Sequence, residues 1–156
     1  MPPQMRPSRL RRLTGGETAL AREMFGSALD AVCVRILAIP VWNRAFVAGP
    51  RLIVWPARGA LSDFSEASLA AQGVLIHELT HVWQAQTGVS LILGKLRAGD
   101  SAASYAYDLT GEPGFLLMNI EQQAMVIEHA FLASRGVEVP YPPALYGDAV
   151  ACCRRD

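Results

Sequence analysis

The segment that decides the fold lies in the middle of the chain and reads Val74-Leu75-Ile76-His77-Glu78-Leu79-Thr80-His81-Val82-Trp83-Gln84. With about 100° between successive helical residues, its apolar side chains occupy nearly every direction. A helix that is apolar all round is buried within its domain. The pattern therefore predicts a central buried helix that begins between Ser62 and Ser65 and ends near Gly88. Polar side chains in such a helix need partners.

Two histidines of this segment, His77 and His81, are separated by four residues, so both lie on one face of the predicted helix. Their imidazoles can therefore reach one ion without distortion of the backbone. Glu78 projects about 100° away, so it can flank that ion without binding it. Two histidines with a separate carboxylate base form the HExxH arrangement of zinc-dependent hydrolases. Because catalytic zinc commonly takes three protein ligands and one water, a third ligand must come from another element.

The third ligand is expected from the last long helix, which the apolar spacing predicts over residues 116–134. Glu121 and Glu128 both border the buried face of this helix, about 60° and 40° from the centre of its apolar stripe. Each carboxylate needs a metal, an arginine or water as its partner, and periodicity does not choose between them. His129 lies about 140° from the stripe and is predicted to be a surface histidine.

The flanking elements predict an α+β fold. Residues 14–17 form a capping box that opens the first helix, and residues 91–96 predict a short one. Residues 32–38 are rich in β-branched side chains and predict a strand. Residues 45–55 predict a hairpin, because Gly49-Pro50 is a turn dipeptide. The expected architecture is mainly helical, with a small antiparallel sheet beside the HExxH zinc helix, as in a minimal zincin-like domain.

The chain of 156 residues is long enough for one domain. We expect residues 1–12 to be a flexible basic N-terminal arm, because four arginines cluster there. Residues 13–137 are expected to form the zincin-like metallopeptidase domain. Residues 138–156 are expected to be an irregular C-terminal tail, because they begin with closely spaced prolines.

Composition excludes several classes of function. The net charge is +0, which gives no bulk electrostatic reason to bind nucleic acid or an anionic membrane. No apolar run approaches the roughly 20 residues of a membrane span, and the first residues lack the apolar stretch of a signal peptide. We therefore predict a cytoplasmic protein, with export by a machine that does not use signal peptides as the alternative. Three cysteines without a spaced framework argue against a disulfide scaffold.

Supporting residues are also expected around the ion. The second ring nitrogen of a zinc-bound histidine is usually held by a carboxylate or carbonyl, and Asp63, Glu66 and Asp108 are candidates for that role. Tyr105 and Tyr107 lie in a loop-like segment between the two metal helices. Either tyrosine is a candidate donor to the oxyanion that develops during peptide hydrolysis, and the alternative for each is packing over the core.

Several of these segments resemble known proteins. The run His77-Glu-Leu-Thr-His81-Val-Trp-Gln84 followed by Glu121-Gln-Gln-Ala124 resembles the gluzincin-type metallopeptidases, in which a downstream helix supplies a glutamate followed three residues later by a small residue. It is most similar to the small Vgr-related proteins associated with contractile injection systems, with which residues 13–26 and 63–65 also agree. The resemblance covers residues 13–135 and implies Glu121 as the third ligand.

The function expected from the motif and the resemblance is that of a zinc metallopeptidase with one bound Zn²⁺. It would hydrolyse a peptide or protein substrate with a zinc-activated water, and Glu78 would be the general base. One alternative is a non-catalytic zinc-stabilised module that docks on proteins of a type VI or contractile secretion system. Another is a regulatory peptidase that cleaves a single partner protein. An open fourth position on the ion would favour an enzyme, and a fourth protein ligand would favour the module.

Overall fold

Five α-helices and four strands build the described part of the chain, residues 1–154 of a computed structural model. The helices are α1 (Gly15–Phe25), α2 (Leu69–Gln86), α3 (Leu91–Ala98), α4 (Ile120–Ser134) and α5 (Gly147–Cys153). The strands are β1 (Leu10–Arg12), β2 (Arg35–Ile39), β3 (Phe46–Val47) and β4 (Leu52–Pro56). The predicted α+β, mainly helical class is confirmed. None of the helices within residues 1–154 is both long and apolar enough to cross a bilayer.

The central helix α2 is buried on most of its circumference, as the sequence predicts. Leu75, Ile76, Leu79 and Val82 are all fully buried. The helix begins later than expected, because residues 64–66 form a separate turn of 3-10 helix. Its N-terminus is instead capped by Ser68, whose hydroxyl accepts a hydrogen bond from the amide of Ala71 at 3.3 Å.

Helix α2 packs mainly along α4, and this pair forms the frame of the site. Helix α4 opens with a capping box in which Asn119 and Gln122 exchange hydrogen bonds. Gly73 of α2 lies against two side chains of α4. A Cβ atom at that position would lie 3.3 Å from Leu132 Cδ2 and 3.4 Å from Glu128 Cγ. The missing side chain therefore lets α2 lie against α4 at this short spacing.

The sheet is mixed, so the prediction of a purely antiparallel sheet is wrong. Its strand order is β1-β2-β4-β3, with antiparallel pairs at both edges and a parallel pair of β2 and β4 in the middle. After β2 the chain crosses to the far edge, forms β3, and turns back so that β4 is inserted beside β2. The predicted hairpin of β3 and β4 is present, and its turn contains Gly49 at a φ of +96°.

The N-terminal segment differs from the predicted flexible basic arm, since residues 10–12 form β1 and pair with β2. The physical reason is a buried carboxylate. The guanidinium of Arg11 donates to both oxygens of Glu17, each at 2.7 Å, and the Glu17 side chain is fully buried. The charge of Arg11 is therefore used inside the fold, and a count of arginines in the sequence does not reveal this.

The C-terminal segment also differs from the predicted irregular tail. It contains a 3-10 turn at Pro143–Tyr146 followed by α5. Tyr146, Ala149 and Cys153 are buried in the core, where α5 packs on α1 and α4. Burial of this apolar face stabilises a helix that the preceding prolines obscure in the sequence. The last two residues of the predicted tail, 155–156, lie outside the described residues.

Candidate metal centre

Three side chains that the sequence singles out as metal ligands converge between α2 and α4. His77 and His81 lie one turn apart on α2, and Glu121 lies in the first turn of α4. The Nε2 atoms of His77 and His81 lie 3.3 Å and 3.4 Å from Glu121 Oε2. Candidate ligand atoms of the three residues all lie within 4.8 Å of one another. This is a spacing that one bound ion can bridge.

The other nitrogen of each imidazole is held by a polar side chain. His77 Nδ1 lies 3.0 Å from Glu128 Oε2, and His81 Nδ1 lies 2.8 Å from Gln84 Oε1. The amide of Gln84 is itself fixed, because its Nε2 donates to the carbonyl oxygen of Ile120 at 3.0 Å. These contacts assign the Nδ1 protons and turn both Nε2 atoms toward Glu121.

Glu128, the alternative third ligand, therefore contacts the opposite nitrogen of His77 from Glu121. Glu128 holds the second ring nitrogen of His77, a role for which the sequence suggested Asp63, Glu66 and Asp108. Asp63 instead caps a 3-10 turn, Glu66 is exposed, and Asp108 accepts hydrogen bonds from Thr110. Those three assignments are wrong.

Gln84 is not among the supporting residues predicted from the sequence. Its position carries a signal, because it stands three residues after His81, a spacing at which helical side chains can contact each other.

Glu78 lies beside this cluster with an unsatisfied oxygen. The residue is only 6% exposed, yet its Oε2 has no hydrogen-bond partner among residues 1–154, where the only other buried orphan atom is Trp83 Nε1. A cavity of about 520 Å³ is lined by Glu78 together with His77, His81 and Glu121. A second cavity of about 430 Å³ also contains His77 and Glu78 in its lining. Glu78 therefore lies where the two cavities meet.

The electrostatics of the cluster favour positive charge beside its carboxylates. Burial raises the pKa of Glu78. Burial would also raise the pKa of Glu121, but hydrogen bonds from His77 and His81 hold that pKa well below its usual range. Burial lowers the pKa of His77, but hydrogen bonds to Glu121 and Glu128 outweigh it and raise the pKa to about 10. Three carboxylates in so small a volume need a positive charge among them.

The two candidate tyrosines lie in different environments. Tyr105 lines both cavities, and its hydroxyl accepts a hydrogen bond from Arg44 Nη2 at 2.9 Å. Tyr107 lines neither cavity. Its hydroxyl lies 2.6 Å from His129 Nδ1 and 2.8 Å from the hydroxyl of Tyr146. Tyr107 therefore lies away from both cavities, and His129 is half-buried against it where a surface histidine was expected.

Lys95 is a residue of the site that the sequence reasoning missed. Its Nζ lies 2.8 Å from Glu121 Oε1, on the side of the carboxylate away from the imidazoles. The position carries one signal in the sequence, since Lys95 is the only lysine of the chain. That signal does not indicate a partner, because the contact joins α3 to α4 across 26 residues.

Comparison with known proteins identifies the family. The solved structure of the effector domain of Pseudomonas aeruginosa VgrG2b matches this chain with a TM-score of 0.68 and 32% sequence identity, over 93% of this chain and 84% of that domain. This chain belongs to the VgrG2b effector-domain family. No profile of a known protein family matches the sequence.

The family relationship extends to a much longer protein. The type VI secretion system spike protein VgrG2b of Pseudomonas aeruginosa is 37% identical over an alignment of 137 residues that covers 78% of this chain. The chain spans only 13% of the length of that spike protein. Membership of the VgrG2b effector-domain family therefore links the chain to Vgr proteins of type VI secretion through one domain. The chemistry of the site has to be argued from its own geometry.

Proposed function

We propose that this chain is an effector domain of a type VI secretion system and that it hydrolyses peptide bonds with a bound zinc ion. The link to secretion is supported by the relationship to an effector domain of a spike protein. The chemistry is supported by one observation above all others. Glu78 Oε2, a buried carboxylate oxygen with no hydrogen-bond partner among residues 1–154, lies beside two imidazoles and a carboxylate at the junction of two cavities.

The donor set fits zinc. The ion would be held by His77 Nε2, His81 Nε2 and Glu121 Oε2, a set of two imidazoles and one carboxylate that is common in zinc hydrolases. A zinc ion in such a set polarises a carbonyl group and makes water nucleophilic near neutral pH. Glu128 and Gln84 keep both rings in the orientation that the ion requires.

The remaining chemistry belongs to the side chains. Glu78 takes the proton of the attacking water and passes it to the leaving amine. Its burial raises the pKa of the carboxyl group, which makes Glu78 a stronger base than an exposed glutamate. Tyr105 donates its hydroxyl proton to the oxyanion that develops on the substrate, while Arg44 donates to the same hydroxyl oxygen. A peptide or protein segment would occupy the two cavities on either side of Glu78.

A second candidate is a non-catalytic module, stabilised by zinc, that binds proteins of the secretion apparatus. The comparisons favour it over the enzyme, because they concern secretion rather than chemistry. The cavity of about 520 Å³ that reaches His77, His81 and Glu121 favours the enzyme. A third candidate, a regulatory peptidase for a single partner protein, uses the same site and differs only in substrate range. Export by the contractile machine is part of the first two proposals.

Replacement of the base gives the first test. Glu78→Gln keeps the size of the side chain but removes its basicity. We expect peptide cleavage to fall by about 10²- to 10⁴-fold, the usual contribution of a general base, while zinc stays near one ion per chain. The matched control is Glu66→Gln, which changes an exposed glutamate just before α2. Cleavage of casein and of whole proteomes would be measured together with the metal content.

Each outcome of this test selects one candidate. Unchanged cleavage by Glu78→Gln would contradict the assigned base. Wild-type protein that holds zinc but cleaves no protein in either assay would identify the non-catalytic module. Cleavage of one proteome component, with casein untouched, would identify the single-partner peptidase. Wild-type protein without stoichiometric metal would contradict all three candidates.

A further inference from the structure

The two oxygens of Glu121 have different kinds of partner. Oε2 faces the Nε2 atoms of both imidazoles, at 3.3 Å and 3.4 Å. Oε1 faces the ammonium group of Lys95 at 2.8 Å. The same ammonium group also lies 3.0 Å from Asp100 Oδ1 and 3.3 Å from the hydroxyl of Tyr105. Lys95 therefore contacts one oxygen of the proposed zinc ligand and leaves the other oxygen toward the histidines.

The contact between Lys95 and Glu121 depends on a close approach of two helices. The residue before Lys95 is Gly94, and the residue before Glu121 is Ile120. A Cβ atom at Gly94 would lie 2.9 Å from Ile120 Cγ2 and 3.0 Å from Ile120 Cδ1. Since Ile120 is branched at Cβ and stiff, a methyl group at position 94 would push α3 away from α4. A glycine within a helix lowers the stability of that helix relative to alanine. Here the glycine brings the lysine to the carboxylate.

We infer that Lys95 is a positioning residue that occupies Oε1 of Glu121 and so leaves only Oε2 to bind the metal. The inference rests on the zinc site proposed above. A carboxylate is able to bind zinc through both oxygens, and the second oxygen would fill the open position that a catalytic zinc needs for water or substrate. The ammonium group also withdraws negative charge from Glu121, which leaves the ion more acidic and less tightly held.

An ordinary surface ion pair predicts a different outcome. Such pairs contribute little to stability, and the side chain of Lys95 is 40% exposed. Its partner is not at the surface, because the Glu121 side chain is only 6% exposed. A lysine that merely stabilised this region would, when removed, weaken metal binding or leave it unchanged. A lysine that limits Glu121 to one oxygen would, when removed, strengthen metal binding and impair turnover. The sign of the change therefore separates the two roles.

The experiment compares Lys95→Met with two matched variants. Lys95→Arg keeps the positive charge, and Asp100→Asn removes the exposed second partner of Lys95 without touching Glu121. Zinc affinity would be measured by competition with a chelator. Coordination number would be measured from the visible absorption of the Co²⁺-loaded protein, whose bands weaken as ligands are added. Circular dichroism would verify that each variant is folded.

We expect Lys95→Met to bind zinc about tenfold more tightly, as removal of a unit charge near a divalent ion in a partly solvated site predicts. Its Co²⁺ bands should be weaker and its turnover lower than those of the wild type. Lys95→Arg should resemble the wild type, and Asp100→Asn should stay within about twofold of it in zinc affinity. Gly94→Ala should change affinity and absorption in the direction of Lys95→Met, because it separates the same two residues.

Two results would overturn the inference while the proposed zinc site stands. The first is a wild type that binds zinc and a Lys95→Met variant with the same affinity and spectrum. The second is a Lys95→Met variant that binds zinc more weakly, which is the result of a merely structural lysine. A wild type without bound zinc would overturn both the proposed function and this inference.

Discussion

Two glutamates in this chain, Glu17 and Glu121, both lie in the first turn of a helix and are both buried, yet their surroundings differ. Glu17 is fully buried, and both of its carboxylate oxygens are occupied by hydrogen-bond donors. Its oxygens accept two hydrogen bonds at 2.7 Å from Arg11 and two at 2.8 Å from the backbone amides of Thr14 and Phe64. Glu121 has one short contact, 2.8 Å to Lys95, and two longer contacts of 3.3 Å and 3.4 Å to imidazoles, and it borders a cavity.

The difference shows how a buried carboxylate is used. Every lone pair of Glu17 is satisfied by a fixed donor, so this glutamate joins β1, α1 and the segment before α2 and has no capacity left for a ligand. Oε2 of Glu121 instead faces the imidazoles of His77 and His81, and an imidazole nitrogen can bind a metal ion in place of a proton. Burial is thus common to the two glutamates, whereas the length of the contacts to Oε2 and access to a cavity distinguish them.

The largest expected effect comes from breaking the closed site, which is the buried ion pair of Arg11 and Glu17 with its two backbone donors. Arg11→Met would leave the Glu17 carboxylate buried without its cation. Removal of one partner from a buried ion pair typically costs about 3–5 kcal/mol of unfolding free energy. Urea denaturation would measure the loss, with Arg12→Met, an exposed neighbour on β1, as the control. Zinc affinity should remain unchanged in the variant that is still folded. A loss below 1 kcal/mol would mean that Arg11 and Glu17 do not form the closed site described above.

A smaller effect is expected from a change beside His77, at the candidate metal centre. Glu128→Gln keeps an acceptor near His77 Nδ1 but removes its charge. We expect zinc affinity to fall by about 10- to 100-fold, as is typical when a group that orients a ligating histidine is changed. Chelator competition would measure the affinity, and Glu138→Gln, an exposed glutamate beyond α4, is the control. An unchanged affinity would show that Glu128 does not orient the ring.

The smallest effect is expected from an ion pair that has the geometry of the closed site but not its burial. Arg135 donates to both oxygens of Glu23 at 2.7 Å, and these side chains are 30% and 42% exposed. Arg135→Gln should lower the unfolding free energy by only about 0.2–1 kcal/mol, and less at high salt. Urea denaturation at two salt concentrations would measure both values. A loss near that of Arg11→Met would show that geometry, and not burial, determines the strength of these pairs.

The sequence predicted what depends on local geometry. His77 and His81 had to share a face because they are four residues apart on a helix, and Glu78 had to flank them. The capping box of α1 and the hairpin of β3 and β4 were likewise readable from neighbouring residues. These features need no knowledge of what packs against them.

Features that depend on contacts between distant segments were not readable from periodicity. Glu121 and Glu128 both border the buried face of α4, and only the packing of α4 on α2 assigns them to different nitrogens of His77. The family resemblance, rather than periodicity, indicated Glu121. The parallel pairing of β2 with β4 and the contact of Lys95 with Glu121 were not readable either, because both join segments that are distant in the sequence. Peptidase activity remains a proposal, since the relationship to the VgrG2b effector domain concerns ancestry and fold.

The close contact at Gly73 has a consequence for anyone who wishes to redesign the protein. Position 73 lies one helical turn before His77 and faces Glu128 and Leu132 at the van der Waals limit. A larger residue at position 73 would therefore press on α4 beside Glu128 and leave His77, His81 and Glu121 chemically unchanged. An engineer who wanted to fit the proposed metal centre to a larger ion, such as cadmium, would begin by varying the bulk of residue 73.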